Sequence, residues 1–168
     1  MLATNFTQLA ALRLRVRSRP ELAKHSLRQA KRAQSLRFVT STALKIYRPL
    51  RFCDRLVGYG EHHGVRLLKA ETVREMSRNQ LPTNAFPINV NGQRRDGVGF
   101  GLGFSVVVEK IPGFEFVPQG EYGWGGAAST HFWISPKDEL AVVVLSQIKP
   151  FTFQCESVVK PIIYSAIR

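Results

Sequence analysis

The sequence holds only two cysteines, Cys53 and Cys155, so at most one internal disulfide is available and a disulfide-stapled scaffold is excluded. Free thiols in a reducing compartment are the expectation, and with them a cytoplasmic location. No apolar run approaches the roughly 20 residues that a membrane-spanning helix needs. Acidic residues are scarce in one region only. Residues 1–55 carry thirteen Lys or Arg against Glu21 and Asp54, whereas residues 56–168 carry eleven against ten. The formal net charge of +12 therefore belongs to the N-terminal third and says little about the part that folds beyond it. Metal-binding spacing is also missing. His62 and His63 are adjacent, so their side chains diverge on a helix and point to opposite faces on a strand. Tyr59 to Gly64 reads as a solvated turn, and neither a metal nor a cofactor is expected.

The basic third admits three readings. The arginines at 13, 15, 17 and 19 and the weakly patterned stretch from Glu21 to Arg37 suit a basic helical arm that meets nucleic-acid phosphates. They also suit an arginine-rich organellar presequence. The plainest reading is a basic, poorly ordered or extended tail over 1–40 with no specific role, because Phe6 and Phe38 are its only rings and single-stranded nucleic acid is held largely by stacking. Composition changes at Ser41-Thr42, which caps a helix expected over 42–57. Pro49 either restarts or kinks it, and Phe52, Cys53, Leu56 and Val57 form its buried side.

What the remainder has is 44% apolar content in the chain as a whole and a dense glycine-aromatic stretch. From Val98 to Val108 the even positions are Val, Phe, Leu, Phe, Val and Val, while Gly97, Gly99, Gly101 and Gly103 occupy odd ones. A period of two predicts a strand over 98–109 with one apolar face and one nearly bare face that another backbone can approach. It does not predict a phosphate loop, which needs turn glycines between a strand and a helix followed by Lys and Ser or Thr. Further strands are expected over 114–118 or 122–134 and over 139–147, with a hairpin about Pro136. Short helices are expected over 70–78 and 152–166. Thr83 to Asp96 reads as a solvated polar loop, although Arg94 and Arg95 together could meet an anionic substrate.

The order GVGFGLGF, a short hydrophilic gap, then GEYGWGGAASTHFWISPKDELAVVVLSQ resembles the C-terminal part of the serine beta-lactamase-like family, which includes class C beta-lactamases, DD-peptidases and related esterases. The likeness extends upstream through HHGVRLLKAETVREMSRNQLP to Ser41-Thr42-Ala43, so it covers residues 41–168. The resemblance implies an α+β fold in which an antiparallel sheet of about three or four strands carries a C-terminal helix. It also implies that Trp124, Gly125 and Gly126 stand where the family's Lys-Thr-Gly triad lines the active site, with Trp124 as an aromatic wall suited to ester or lipophilic substrates. A chain of 168 residues is short for a whole member, so a truncated fragment is expected. A sheet edge that self-association or a missing N-terminal half would cover is expected too.

The catalytic groups that the resemblance implies are a serine paired with a lysine one helical turn later, and a tyrosine in Y-x-N. No Y-x-N occurs. Ser157-Val158-Val159-Lys160 has the S-x-x-K spacing but falls in the expected C-terminal helix, and Thr42-Ala43-Leu44-Lys45 has a similar spacing at the STA landmark. The expectation is therefore a serine-hydrolase-like fragment that is inactive alone, with no catalytic residue assigned. The alternatives are a nucleic-acid-binding protein or a non-catalytic binding domain completed by a partner. Val98, Phe100, Phe104, Phe132, Val142, Val144, Val158 and Ile162 are the expected core.

Overall fold

The run Leu-Ala-Val-Val-Val-Leu at 140–145 has no polar alternation, as expected of a strand covered on both faces. In the computed structural model, which describes residues 9–16 and 43–167, this run forms the strand around which two layers of helix assemble. The elements in order are β1 (Leu9–Val16), α1 (Ala43–Val57), β2 (Glu61–His62), β3 (Val65–Arg66), α2 (Ala70–Met76), β4 (Asn89–Val90), β5 (Gln93–Arg94), β6 (Val98–Phe100), β7 (Ser105–Val107), β8 (Tyr122–Gly125), β9 (His131–Ser135), β10 (Leu140–Ser146) and α3 (Gln154–Ile167). Six of the strands make one antiparallel sheet in the order β1-β10-β9-β8-β7-β6.

Leu140, Val142 and Val144 pack with Trp133, Val107 and the α3 residues Cys155, Val159, Ile163 and Tyr164. Ala141 and Val143 face the other way, toward Cys53 and Leu56 of α1, Val73 of α2, and Phe104, Val106, Tyr122 and Ile134. The two cysteines are free and lie in these two separate cores. Burial, with Asp54 alongside, pushes the Cys53 thiol up to about 12, and burial also raises that of Cys155. Neither thiol is an activated nucleophile.

The α+β class, the antiparallel sheet and its C-terminal helix are as the sequence suggests, and β9 and β10 form the hairpin through Pro136. The strand count differs. β10 is paired on its outer side with β1, from Leu9↔Ser146 to Val16↔Leu140. Arg13 and Arg15 thus belong to a strand of the main sheet, not to a helical arm. Residues 17–42, which hold the rest of the basic tail, lie outside the described residues.

The single strand expected over 98–109 is also a hairpin. β6 and β7 pair Val98 with Val107 and Phe100 with Ser105, and Gly103 at φ +93° allows the reversal. The reversal puts Val98 and Val106 on opposite faces despite their even spacing, and leaves Leu102 exposed at the tip. The bare positions do what the sequence suggests. A Cβ on Gly101 would stand 2.1 Å from the Met76 carbonyl, and one on Gly99 would stand 2.3 Å from Asn79 Oδ1, which accepts from Phe100 N at 3.1 Å. Gln80 N donates to Phe100 O and Ile88 N to Val98 O, so the segment after α2 covers the outer edge of β6.

The stretch 122–134 is likewise two strands, because Gly126 to Thr130 reverses the chain with Ser129 at φ +58°. Thr83 to Asp96 contains a small hairpin, β4–β5, turned by Asn91 and Gly92, both at positive φ. Tyr59 to Gly64 leads into the β2–β3 turn, with His63 and Gly64 at its tip. Helix α1 runs unbroken through Pro49, and Phe52 is half exposed rather than buried. The phase of α3 is one residue away from that expected. Val158 is 46% exposed and Ile162 only partly buried, while Val159 and Ile163 enter the core. Among the described residues, no helix is long and apolar enough to cross a membrane, and no group of three or more His, Cys, Asp or Glu could hold a metal ion.

Candidate functional site

Strand β8 sets the site because it alternates large side chains with none. Tyr122 and Trp124 project to the α1 face, opposite Ile134 and Phe132, whereas Gly123 and Gly125 face α3 opposite Trp133 and His131. Trp124 is 36% exposed and stands edge-on to Phe100, with ring centroids 4.8 Å apart. Gly126 N donates to Thr130 O at 2.8 Å, closing the turn to β9. On the α3 face, the missing side chains leave a cavity of about 420 Å³. Trp124, Gly125 and Gly126 line it, together with Trp133, Phe151 and Phe153.

Gly125 is required by what lies over it. A Cβ there would meet the Phe151 ring at 3.0 Å and His131 Nδ1 at 3.1 Å. Gly125→Ala should therefore lower stability by about 1–3 kcal/mol, the usual cost of overpacking. Urea unfolding of the two proteins measures it, and an unchanged midpoint would show that Phe151 and His131 move aside freely.

A charged network forms the floor of the cavity. Lys160 Nζ donates to Glu121 Oε1 at 2.5 Å and to Glu156 Oε1 at 2.7 Å. Tyr164 Oη donates to the second oxygen of Glu121. Glu156 Oε2 lies 3.3 Å from His131 Nδ1, and His131 Nε2 is 3.0 Å from the Thr152 carbonyl, so both ring nitrogens face oxygens. Arg95 reaches Glu156 at 3.5 Å and stacks over Phe153, 4.1 Å from its centroid. The Lys160 ammonium lies 5.1 Å from the centre of the Trp133 ring.

Burial works against the charge on Lys160, but Glu121 and Glu156 outweigh it and raise its pKa. Burial also pushes Glu156 up. Lys160, His131 and Arg95 overcome that and hold its carboxyl well below the ordinary range. For Glu121 burial prevails over Lys160 and Tyr164, and its pKa lies above the ordinary value.

In this geometry both members of the S-x-x-K pair in α3 are engaged by other groups. Ser157 Oγ donates to the Phe153 carbonyl at 2.8 Å within its own helix. Its would-be base, Lys160, is paired with Glu121 and Glu156, a contact that favours its protonated form over acceptance of the serine proton. A second S-x-x-K, Ser146-Gln147-Ile148-Lys149, is equally structural. Ser146 Oγ is buried within hydrogen-bonding distance of the Ala128 and Ser129 carbonyls, and Lys149 is exposed. Thr42 lies outside the described residues.

Sequence reasoning placed Arg95 on a solvated loop beside Arg94. Arg94 does pair with Asp96 at the surface, but Arg95 turns inward. Glu121, His131 and Glu156 carried no recognisable signal. Glu156 and Lys160 have the i, i+4 spacing of an ordinary helix-surface pair, and Glu121 is 39 residues from its lysine.

Comparison with known proteins returns a match to the family model described as Beta-lactamase over residues 1–156. Among solved structures, the fold is similar to that of unliganded simvastatin synthase (LovD) from Aspergillus terreus, with a TM-score of 0.53 and 22% identity over 71% of this chain and 33% of that one. It is also similar to EstCE1, a hydrolase with promiscuous acyltransferase activity, with a TM-score of 0.51 and 19% identity over 70% of this chain and 28% of that one. A family VIII carboxylesterase gives a TM-score of 0.51 and 19% identity over 68% of this chain and 29% of that one. The chain thus spans about a third or less of these proteins. No curated protein sequence matches it.

Proposed function

Because this chain belongs to the beta-lactamase family, we propose that it provides the sheet and strand-edge part of a serine-hydrolase-type site and performs no acyl transfer by itself. In this reading Trp124, Gly125 and Gly126 line the space in which the acyl part of an ester lies, with backbone amides available to the substrate and Trp124 as an aromatic wall. The observation that carries the inactive state is the double carboxylate grip on Lys160, which removes the base from the S-x-x-K pair of α3. The similarity in fold to a carboxylesterase and to a hydrolase with promiscuous acyltransferase activity supports ester chemistry over a carboxylated beta-lactam.

The test uses the purified chain with short-chain activated esters and a chromogenic beta-lactam. Turnover should not exceed that of the Ser157→Ala protein, and an active-site-directed phosphonate should leave no covalent adduct on any serine by intact-mass measurement. Ser157-dependent turnover would overturn the reading, and an adduct on another serine would identify a nucleophile elsewhere.

A further inference from the structure

The charges around the cavity account for one another. Lys160 is held by Glu121 and Glu156, Arg95 by Glu156, and Glu156 also receives His131. Trp133 is the exception. Its ring is 2% exposed and lines the cavity, yet its buried Nε1 has no acceptor among the described residues. A buried N–H without a partner is costly, and native structures ordinarily satisfy it. The cavity volume of about 420 Å³ lies within the range of small-molecule sites.

We propose that this cavity binds a small, neutral, mainly apolar molecule with a carbonyl-type oxygen, which accepts the Trp133 Nε1 hydrogen while its body lies against Val98, Val107, Ile111 and Phe153. Neutrality follows from the network. A carboxylate would enter beside Glu121 and Glu156 and compete with them for Lys160, and an ammonium would enter beside Lys160 and Arg95. The apolar body follows from the lining, because Gly123 and Gly125 contribute no side chain and the aromatic and aliphatic groups supply most of the walls. Trp124, Gly125 and Gly126 line this same cavity, so the proposal rests on the site reading given above. Ligand binding is read from the Trp133 indole signal and acyl transfer from ester turnover, so the two readings can succeed or fail separately.

Four probes of matched size separate the contributions: butyrophenone, butylbenzene, 4-phenylbutyrate and 4-phenylbutylamine. The readout is the pair of indole N–H signals in 1H–15N spectra of the full chain, which has two tryptophans, assigned with a Trp124→Phe protein. Butyrophenone should bind saturably and shift the Trp133 indole signal. Butylbenzene should bind about five- to tenfold more weakly without a hydrogen-bond shift, as the loss of one neutral hydrogen bond implies. Both ions should bind more than about tenfold more weakly than the ketone. In Trp133→Phe the ketone and the hydrocarbon should bind equally. No saturable shift from any probe would overturn the site, and equal affinity of ketone and hydrocarbon for the wild-type chain would overturn the role of the indole. Should Trp133→Phe fail to fold by circular dichroism, the wild-type indole shift with butyrophenone against butylbenzene decides alone.

Discussion

Lys160→Met should lower the free energy of unfolding by about 3–5 kcal/mol at pH 7, because it removes one partner from a buried ion pair and leaves charge uncompensated. The side chain of Lys160 is 6% exposed and that of Glu121 2%, so water cannot replace the lost ammonium at little cost. Methionine keeps the approximate volume, so the loss reports charge more than packing. The pH dependence has a definite sign. The folded pKa of Lys160 is raised, so its contribution is fully present below the unfolded lysine value of about 10.4 and is lost as pH rises through the folded value. The wild-type chain should weaken in that alkaline window, and the methionine variant should lack this component.

On the acid side, the depressed Glu156 contributes stability above the unfolded carboxylate value of about 4.3, and that stability is lost as pH falls through its folded value. Glu121 behaves oppositely. Its raised pKa means that the folded state keeps a proton which the unfolded chain has released, so the variant's deficit should narrow as pH falls and Glu121 becomes neutral. Urea unfolding from about pH 2 to about pH 12 reaches all three windows. A deficit below about 1 kcal/mol at pH 7, typical of an exposed pair, would show that the network is solvated.

Phe104→Ala should cost about 3–5 kcal/mol, the range for truncating a buried phenylalanine. Phe104 is 5% exposed, and its ring meets Phe52, Tyr122 and Phe132 at centroid distances of 6.4, 5.3 and 6.1 Å. It closes the α1 side of the sheet just after the β6–β7 turn, with Cys53, Leu56 and Val106 in the same core. Such a loss is a large part of the roughly 5–15 kcal/mol that domains possess. Thermal unfolding followed by circular dichroism should show a broad or abolished transition, while Leu102→Ala, at the exposed tip of the same hairpin, should change little. A sharp melt retained in Phe104→Ala would remove Phe104 from the core.

Local pattern carried much of the fold. The apolar run 140–145, the turn at Ser135-Pro136 and the glycine alternation before Phe104 each express an interaction between near neighbours, and each appears where the residues place it. Reversals inside those runs were harder to see. At Gly103 and Ser129 the chain turns at positive φ within segments whose residue types suit a continuous strand. The phase of α3 was misjudged because Lys160 is buried. A lysine inside shifts the expected apolar stripe by one position, and only carboxylates from outside the helix's apolar pattern make that burial tolerable.

The sequence by itself determined the α+β class, the aromatic-glycine run at Trp124 to Gly126 and the absence of a Y-x-N motif, because these depend on residue type and short spacing. Tertiary structure alone decided that Leu9–Val16 completes the sheet, since a strand's partner is a long-range pairing with no local signature. It also decided what Ser157 and Lys160 contact, the serine hydroxyl donating to the Phe153 carbonyl and the ammonium held by Glu121 and Glu156. That outcome depends on Glu121, brought from before β8 to the buried face of α3, where the low dielectric ties the lysine's proton to two carboxylates.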